Sequence, residues 1–132
     1  MSEESATYHW TEGMKYALEG IKLLFILNGA SAVSILTFIG NAQASSRQLI
    51  ISLVFFAMGA VSAVLTMVFA YLVQLHYGNA KQDEAASGTS WAVGARLHLC
   101  AYVFTVLGIT FFFIGVCCAA DGLASEPLKF QK

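Results

Sequence analysis

The sequence predicts an all-α integral membrane protein with three transmembrane helices. Three apolar runs, at 21–40, 49–77 and 97–120, each reach the roughly 20 residues that a helix needs to cross about 30 Å of hydrocarbon. No side chain that is charged at neutral pH lies in the central part of any run. The whole chain is 58% hydrophobic and only 11% charged, which leaves too little polar surface for a water-soluble globule.

The segment before the first run, residues 1–20, mixes aromatic and aliphatic side chains with acids and a lysine, which predicts an amphipathic N-terminal helix. Gly13 and Gly20 weaken a helix, so a bend before the first span is one alternative. The other alternative, which we favour, is one continuous helix. It rests on steps of four and three residues through Gly13, Ala17, Gly20, Leu24, Leu27, Ser31 and Ser34.

The connections between the spans are short. Residues 41–46 read as a small polar turn, 78–90 as a solvated loop and 121–132 as a short polar tail. Together with the spans they use nearly the whole chain, so we expect a single membrane domain at 21–120 and no separate catalytic domain.

Small residues predict where the helices touch. Lipid is as apolar as leucine, so helices in a bilayer associate through close backbone approach at Gly, Ala, Ser and Thr. The second and third spans each carry such residues at steps that average 3.5, which predicts a left-handed helical bundle with a crossing angle of about 20°. The predicted helix-packing residues are Gly59, Ala63, Thr66 and Ala70 in the second span and Ala101, Thr105, Gly108 and Gly115 in the third.

A polar ribbon runs along the first span at three-residue steps through Asn28, Ser31, Ser34 and Thr37. Steps of three drift by about 60° around a helix, so the ribbon slants across the helix surface. One interpretation is the lining of a narrow neutral water path, together with Ser62 and Thr66 of the second span. The other, which we favour, is structural: Asn28 bonds between helices, and each hydroxyl bonds back to a carbonyl one turn earlier.

Two histidines lie where the second and third spans meet the same interface, His76 at the end of one and His98 at the start of the next. Facing histidines on adjacent helices could hold haem or a metal ion. However, no His pair has the i, i+4 spacing of a helical metal site, and no Cys pair has the CxxC spacing of a zinc site. We therefore expect interfacial histidines, with no metal and no cofactor.

The absence of several sequence motifs limits the range of functions that we expect. The spans lack the buried charges of proton relays and ion-coupled transporters, and the sequence shows no recognisable catalytic set or phosphate-binding loop, so we expect no enzyme. A net charge of −1 without a basic patch argues against nucleic acid as a partner. The expected partners are the lipid bilayer and either further copies of the chain or other membrane subunits.

Our leading hypothesis is therefore a homo-oligomer that forms a neutral pore or otherwise perturbs the membrane. In size, number of spans and small-residue content the chain resembles holins, although its tail lacks their dense basic cluster. The alternative is a non-catalytic accessory subunit of a larger membrane complex. We expect the protein to lie in a bacterial inner membrane. We expect its N-terminus to be cytoplasmic, because four Lys and Arg residues fall on the N-terminal side of the spans and three on the other.

Overall fold

A computed structural model describes residues 3–42, 46–82 and 87–125, and over these residues the chain consists of three α-helices and no strand. Helix α1 spans Glu3–Ala42, α2 spans Arg47–Gln82 and α3 spans Ser87–Ser125. Each helix is long and apolar enough to cross a membrane. The predicted all-α fold with three membrane-spanning helices is thus confirmed.

The N-terminal segment and the first span form one helix. α1 continues through Gly13 and Gly20 for 40 residues, about 60 Å at 1.5 Å per residue. Its N-terminal half carries two exposed ion pairs at i, i+3 spacing, Glu12 with Lys15 and Glu19 with Lys22, both at 2.7 Å. Such pairs give an isolated helix modest support, which helps the segment remain helical where it has few neighbours.

The second connection is shorter than the sequence indicates. α2 continues to Gln82 and α3 begins at Ser87, so the prediction of a loop over 78–90 is wrong for most of that segment. Ala, Lys and Gln at the end of α2 all favour helix, and they extend it beyond the apolar run. Residues 43–45 of the first turn, 83–86 of the loop and 126–132 of the tail lie outside the described residues.

α2 is the central helix. It makes its most extensive contact with α3, while α1 packs mainly on α2 and scarcely touches α3. In the most apolar stretch of each helix, 39% of the α2 residues are buried within the chain but only 6% of the α1 residues. The molecule is therefore a packed α2–α3 hairpin with α1 attached along one side.

Candidate functional site

Glycines allow α2 and α3 to pack closely along their whole described length. A Cβ on Gly115 would lie 2.8 Å from the Phe56 ring, and one on Gly122 would lie 2.9 Å from the Leu49 side chain. At the other end of the hairpin, the Tyr77 ring occupies the space beside Gly94. A larger residue at these positions would force the facing side chain or the helix itself to shift, so glycine allows the close approach seen here.

The predicted helix-packing residues lie along this hairpin. Thr66 and Thr105 meet across it, with their hydroxyl oxygens 3.4 Å apart. Ala70 and Thr105 are half-buried, and the other six residues of the set are buried: Gly59, Ala63, Thr66, Ala101, Gly108 and Gly115.

Aromatic pairs also join α2 to α3. Four pairs of rings lie with centroids 4.7–5.9 Å apart, the range in which offset and tilted pairs add to the packing energy. Sequence analysis missed them, because an aromatic residue facing lipid and one facing a helix look alike in a sequence. The pairs are Phe55 with Phe111, Phe56 with Phe112, Phe69 with Phe104, and Tyr77 with Trp91.

The three helices come together at one level, which we call the three-helix junction. Asn28 of α1 is fully buried there, and its amide fills the space where a Cβ of Gly59 would stand. Next to it, a Cβ on Gly108 of α3 would lie 3.0 Å from Leu24 and 3.4 Å from the Gly59 carbonyl oxygen. Asn28 Nδ2 donates to the Leu24 carbonyl at 3.0 Å, whereas its Oδ1 accepts no conventional hydrogen bond. The bare Cα of Gly59 is thus what admits the Asn28 side chain.

The polar ribbon of α1 passes from the inside of the bundle to its outside. Asn28 is buried and Ser31 half-buried, whereas Ser34 and Thr37 are exposed. The hydroxyls of Ser34 and Thr37 donate at 2.8 Å to carbonyls four residues earlier, Ala30 and Val33. The slant that the three-residue steps predict therefore separates the members of the ribbon. A single chain does not gather them around a common lumen.

The second-span residues that we grouped with the ribbon lie within the helix contacts. Ser62 is buried, and its hydroxyl donates to the Met58 carbonyl at 2.9 Å. Thr66 is also buried and donates to the Ser62 carbonyl at 3.0 Å. Both hydroxyls are satisfied within α2, so neither needs water.

One side of α1 faces away from the other helices; we call it the outer face and define it by Ala30, Ser34, Thr37 and Asn41. These residues follow steps of four, three and four, and all four are exposed. Ser34, Thr37 and Asn41 line a shallow open hollow together with Val33 and Phe38. Small residues at this spacing are the type that lets a second helix approach closely, and here no described residue fills that place.

A lateral crevice of about 700 Å³ opens on the N-terminal side of the junction. Its walls are apolar and come from all three helices, including Ala17 and Gly20 of α1. No atom of another helix comes within 4 Å of a Cβ built on Gly13 or Gly20, so α1 stands away from its neighbours here. α1 and α3, which scarcely touch each other, both contribute residues to the crevice walls.

The two histidines occupy different surroundings. His98 lines the lateral crevice and stacks on Tyr102 with ring centroids 4.8 Å apart. His76 is half-buried and is not part of the crevice lining. Within residues 11–41, 46–78 and 88–125, no three His, Cys, Asp or Glu side chains come together in a way that could hold a metal ion.

The candidate functional surfaces are therefore the outer face of α1 and the lateral crevice, both of them on the helix that the hairpin holds least tightly. The two lie at opposite ends of α1, on either side of the three-helix junction. Comparison with models of protein families, with curated proteins and with solved structures found no match for this chain.

Proposed function

We propose that the chain works as a homo-oligomer in which copies meet along the outer face of α1 and form a neutral, hydroxyl-lined path through the bilayer or otherwise perturb it. The single observation that carries the proposal is this face: small and polar, at the helical spacing of a packing surface, and unpartnered in the single chain. Among the described residues, the small-residue stripes of α2 and α3 are mostly buried in helix contacts or line the lateral crevice. The outer face of α1 remains exposed in the single chain.

The chemistry of the outer face favours a path without charge. Ser34 and Thr37 bond to their own helix, so their hydroxyls tolerate lipid in the monomer. Each hydroxyl oxygen keeps acceptor capacity for water if copies surround a lumen. No Asp, Glu, Lys or Arg lies in the described part of α1 beyond Lys22, so such a path would discriminate little between cations and anions.

The test begins with the full chain, purified in mild detergent and reconstituted in liposomes. We expect a mass of several copies in detergent and the release of trapped potassium and of a small anionic dye. A monomer that leaves the liposomes tight would contradict the proposal.

A bulky substitution on the outer face sharpens the test. Thr37→Trp should abolish most of the leak, because the indole would obstruct the contact or the path. The matched control is Thr110→Trp on α3, where an exposed threonine likewise bonds to a carbonyl of its own helix at 2.8 Å. The control should leak like the unmodified chain; equal loss of leak in both variants would show that the outer face has no special role.

A second candidate function uses the same face. A helix of another protein could pack on the outer face of α1 as well as a second copy could, and the chain would then be a non-catalytic accessory subunit of a larger membrane complex. This function predicts two observations. The purified chain is a monomer that causes no leak from liposomes, and it copurifies from its own membrane with another membrane protein. Thr37→Trp should then abolish the copurification, and Thr110→Trp should not.

The proposal also includes which membrane holds the chain and on which side of it the N-terminus lies. Lys15, Lys22, Lys81 and Arg96 lie on the N-terminal side of the spans, against Arg47, Lys129 and Lys132 on the other. The excess favours a cytoplasmic N-terminus, and the resemblance to holins favours a bacterial inner membrane.

A further inference from the structure

The lateral crevice has a definite shape. At its inner end Leu24 packs against Gly108 at the three-helix junction, and Leu27 and Ile109 complete the lining. Near its outer end, Met14 and Gln74 bridge α1 and α2, with Gln74 Nε2 3.7 Å from Met14 Sδ. α1 and α3 scarcely touch, so we infer that the remaining side, between them, is open to the bilayer. The crevice is thus a slot that lies along the helices.

The slot is long and has walls from all three helices. Along α1 its lining extends from Gly13 to Leu27, about 21 Å of helix axis, and its volume is about 700 Å³. Most of the lining surface is apolar. A long apolar slot of this kind suits an extended hydrocarbon chain.

The walls match the same occupant. Deep in the slot, the only polar side chains are Thr66 and Thr105, whose hydroxyls are engaged with carbonyls of their own helices at 3.0 and 2.9 Å. Nothing there requires a polar ligand group. Toward the outer end lie Gln74, His98 and Tyr102, which supply hydrogen-bond donors and acceptors. The slot is thus apolar inside and polar at its entrance, as a membrane lipid is.

We propose that the lateral crevice is a binding site for one acyl chain of a phospholipid from the leaflet on the N-terminal side of the spans. The chain lies against Ala17 and Gly20 and ends near Leu24. Its ester carbonyls lie at the level of Gln74 and His98, which donate hydrogen bonds to them. Bound in this way, the lipid fills the gap between α1 and α3 and steadies α1 on the hairpin. This site is separate from the outer face of α1 and does not depend on assembly.

The experiment uses the full chain, purified in mild detergent, stripped of lipid and titrated with palmitoyl-oleoyl phosphatidylglycerol. Bound lipids are counted by native mass spectrometry. We expect one phospholipid per chain that remains bound under conditions that remove the others. Ala17→Phe fills the slot and should lower this occupancy at least tenfold. Ala95→Phe, at an exposed alanine of α3 outside the crevice, is the matched control and should retain the lipid.

A second variant guards against misfolding. Gly20→Leu also narrows the slot, and its side chain projects into open space, so the helix itself should tolerate the change. Circular dichroism and elution volume should match those of the unmodified chain. Equal retention of lipid by Ala17→Phe and Gly20→Leu would overturn the proposal. So would equal loss by Ala95→Phe, or a tightly held molecule that has no acyl ester.

Discussion

At the residue scale, the contact between Asn28 and Gly59 holds α1 to the hairpin. A buried amide is costly in an apolar medium unless it is paired. Asn28 satisfies its donor within α1 and places its Oδ1 over the bare Cα of Gly59. The spacing of small residues predicts that Gly59 is a packing position. It does not identify Asn28 as the partner of Gly59. The favoured interpretation of the polar ribbon places Asn28 between helices and expects it to bond there, whereas its amide donates to the Leu24 carbonyl of its own helix.

Gly59→Ala tests this contact with one added methyl group. Its Cβ would overlap the Asn28 amide, so we expect α1 to be displaced, at a cost of about 1–3 kcal/mol in the free energy of unfolding, as for other overpacked sites. Gly29→Ala is the control: it brings the same gain in helix propensity, about 1 kcal/mol, and has open space around its Cβ. Reversible unfolding in mixed detergent measures both. A Gly59→Ala variant as stable as Gly29→Ala would show that the contact is not close.

At the element scale, the three helices differ in how firmly they are held. Small-residue stripes predict the faces of α2 and α3 that contain the buried positions, because close helix packing in lipid requires small residues at a regular helical spacing. No comparable sequence pattern predicts the lateral crevice. Gly13, Ala17 and Gly20 repeat like a packing stripe, yet they line open space. Whether a small-residue stripe meets a helix or a gap depends on where the partner helix runs, and that is a property of the fold.

The N-terminal half of α1 should therefore open more readily than the helix beside it. We expect backbone amides at 13–20 to exchange with deuterium faster than those at 66–77 of α2, because the former lack neighbours on the crevice side and include two glycines. Measurement in detergent by mass spectrometry gives both rates in one sample.

A double substitution, Gly13→Ala with Gly20→Ala, tests the cause. Both Cβ atoms enter open space, so the change should slow exchange at 13–20 without disturbing α2. Equal protection of the two segments in the unmodified chain would mean that α1 is held as firmly as α2.

At the scale of the whole molecule, three membrane-spanning helices place the two ends of the chain on opposite sides of the bilayer. Apolar length predicts this arrangement, and the structure contains three helices that are long enough for it. The sequence is less informative about where the helices end beyond the membrane. There, α2 and α3 extend into the segment expected to be a loop, because helix propensity continues after the apolar run stops.

The topology can be measured with a small epitope tag at either end of the chain. In sealed membrane vesicles of one orientation, we expect protease to remove one tag and spare the other. If positive charge sets the orientation, the N-terminal tag is on the cytoplasmic side. Removal of both tags from intact vesicles would rule out three crossings.

Self-association through the outer face of α1 is the central claim, and thiol cross-linking in the native membrane tests it most directly. The three native cysteines, Cys100, Cys117 and Cys118, are first replaced by alanine. Ser34→Cys on α1 and Thr110→Cys on α3 are then compared with a short bifunctional thiol reagent. We predict covalent dimers from Ser34→Cys and almost none from Thr110→Cys. Monomers from both, or equal dimers from both, would contradict assembly through α1.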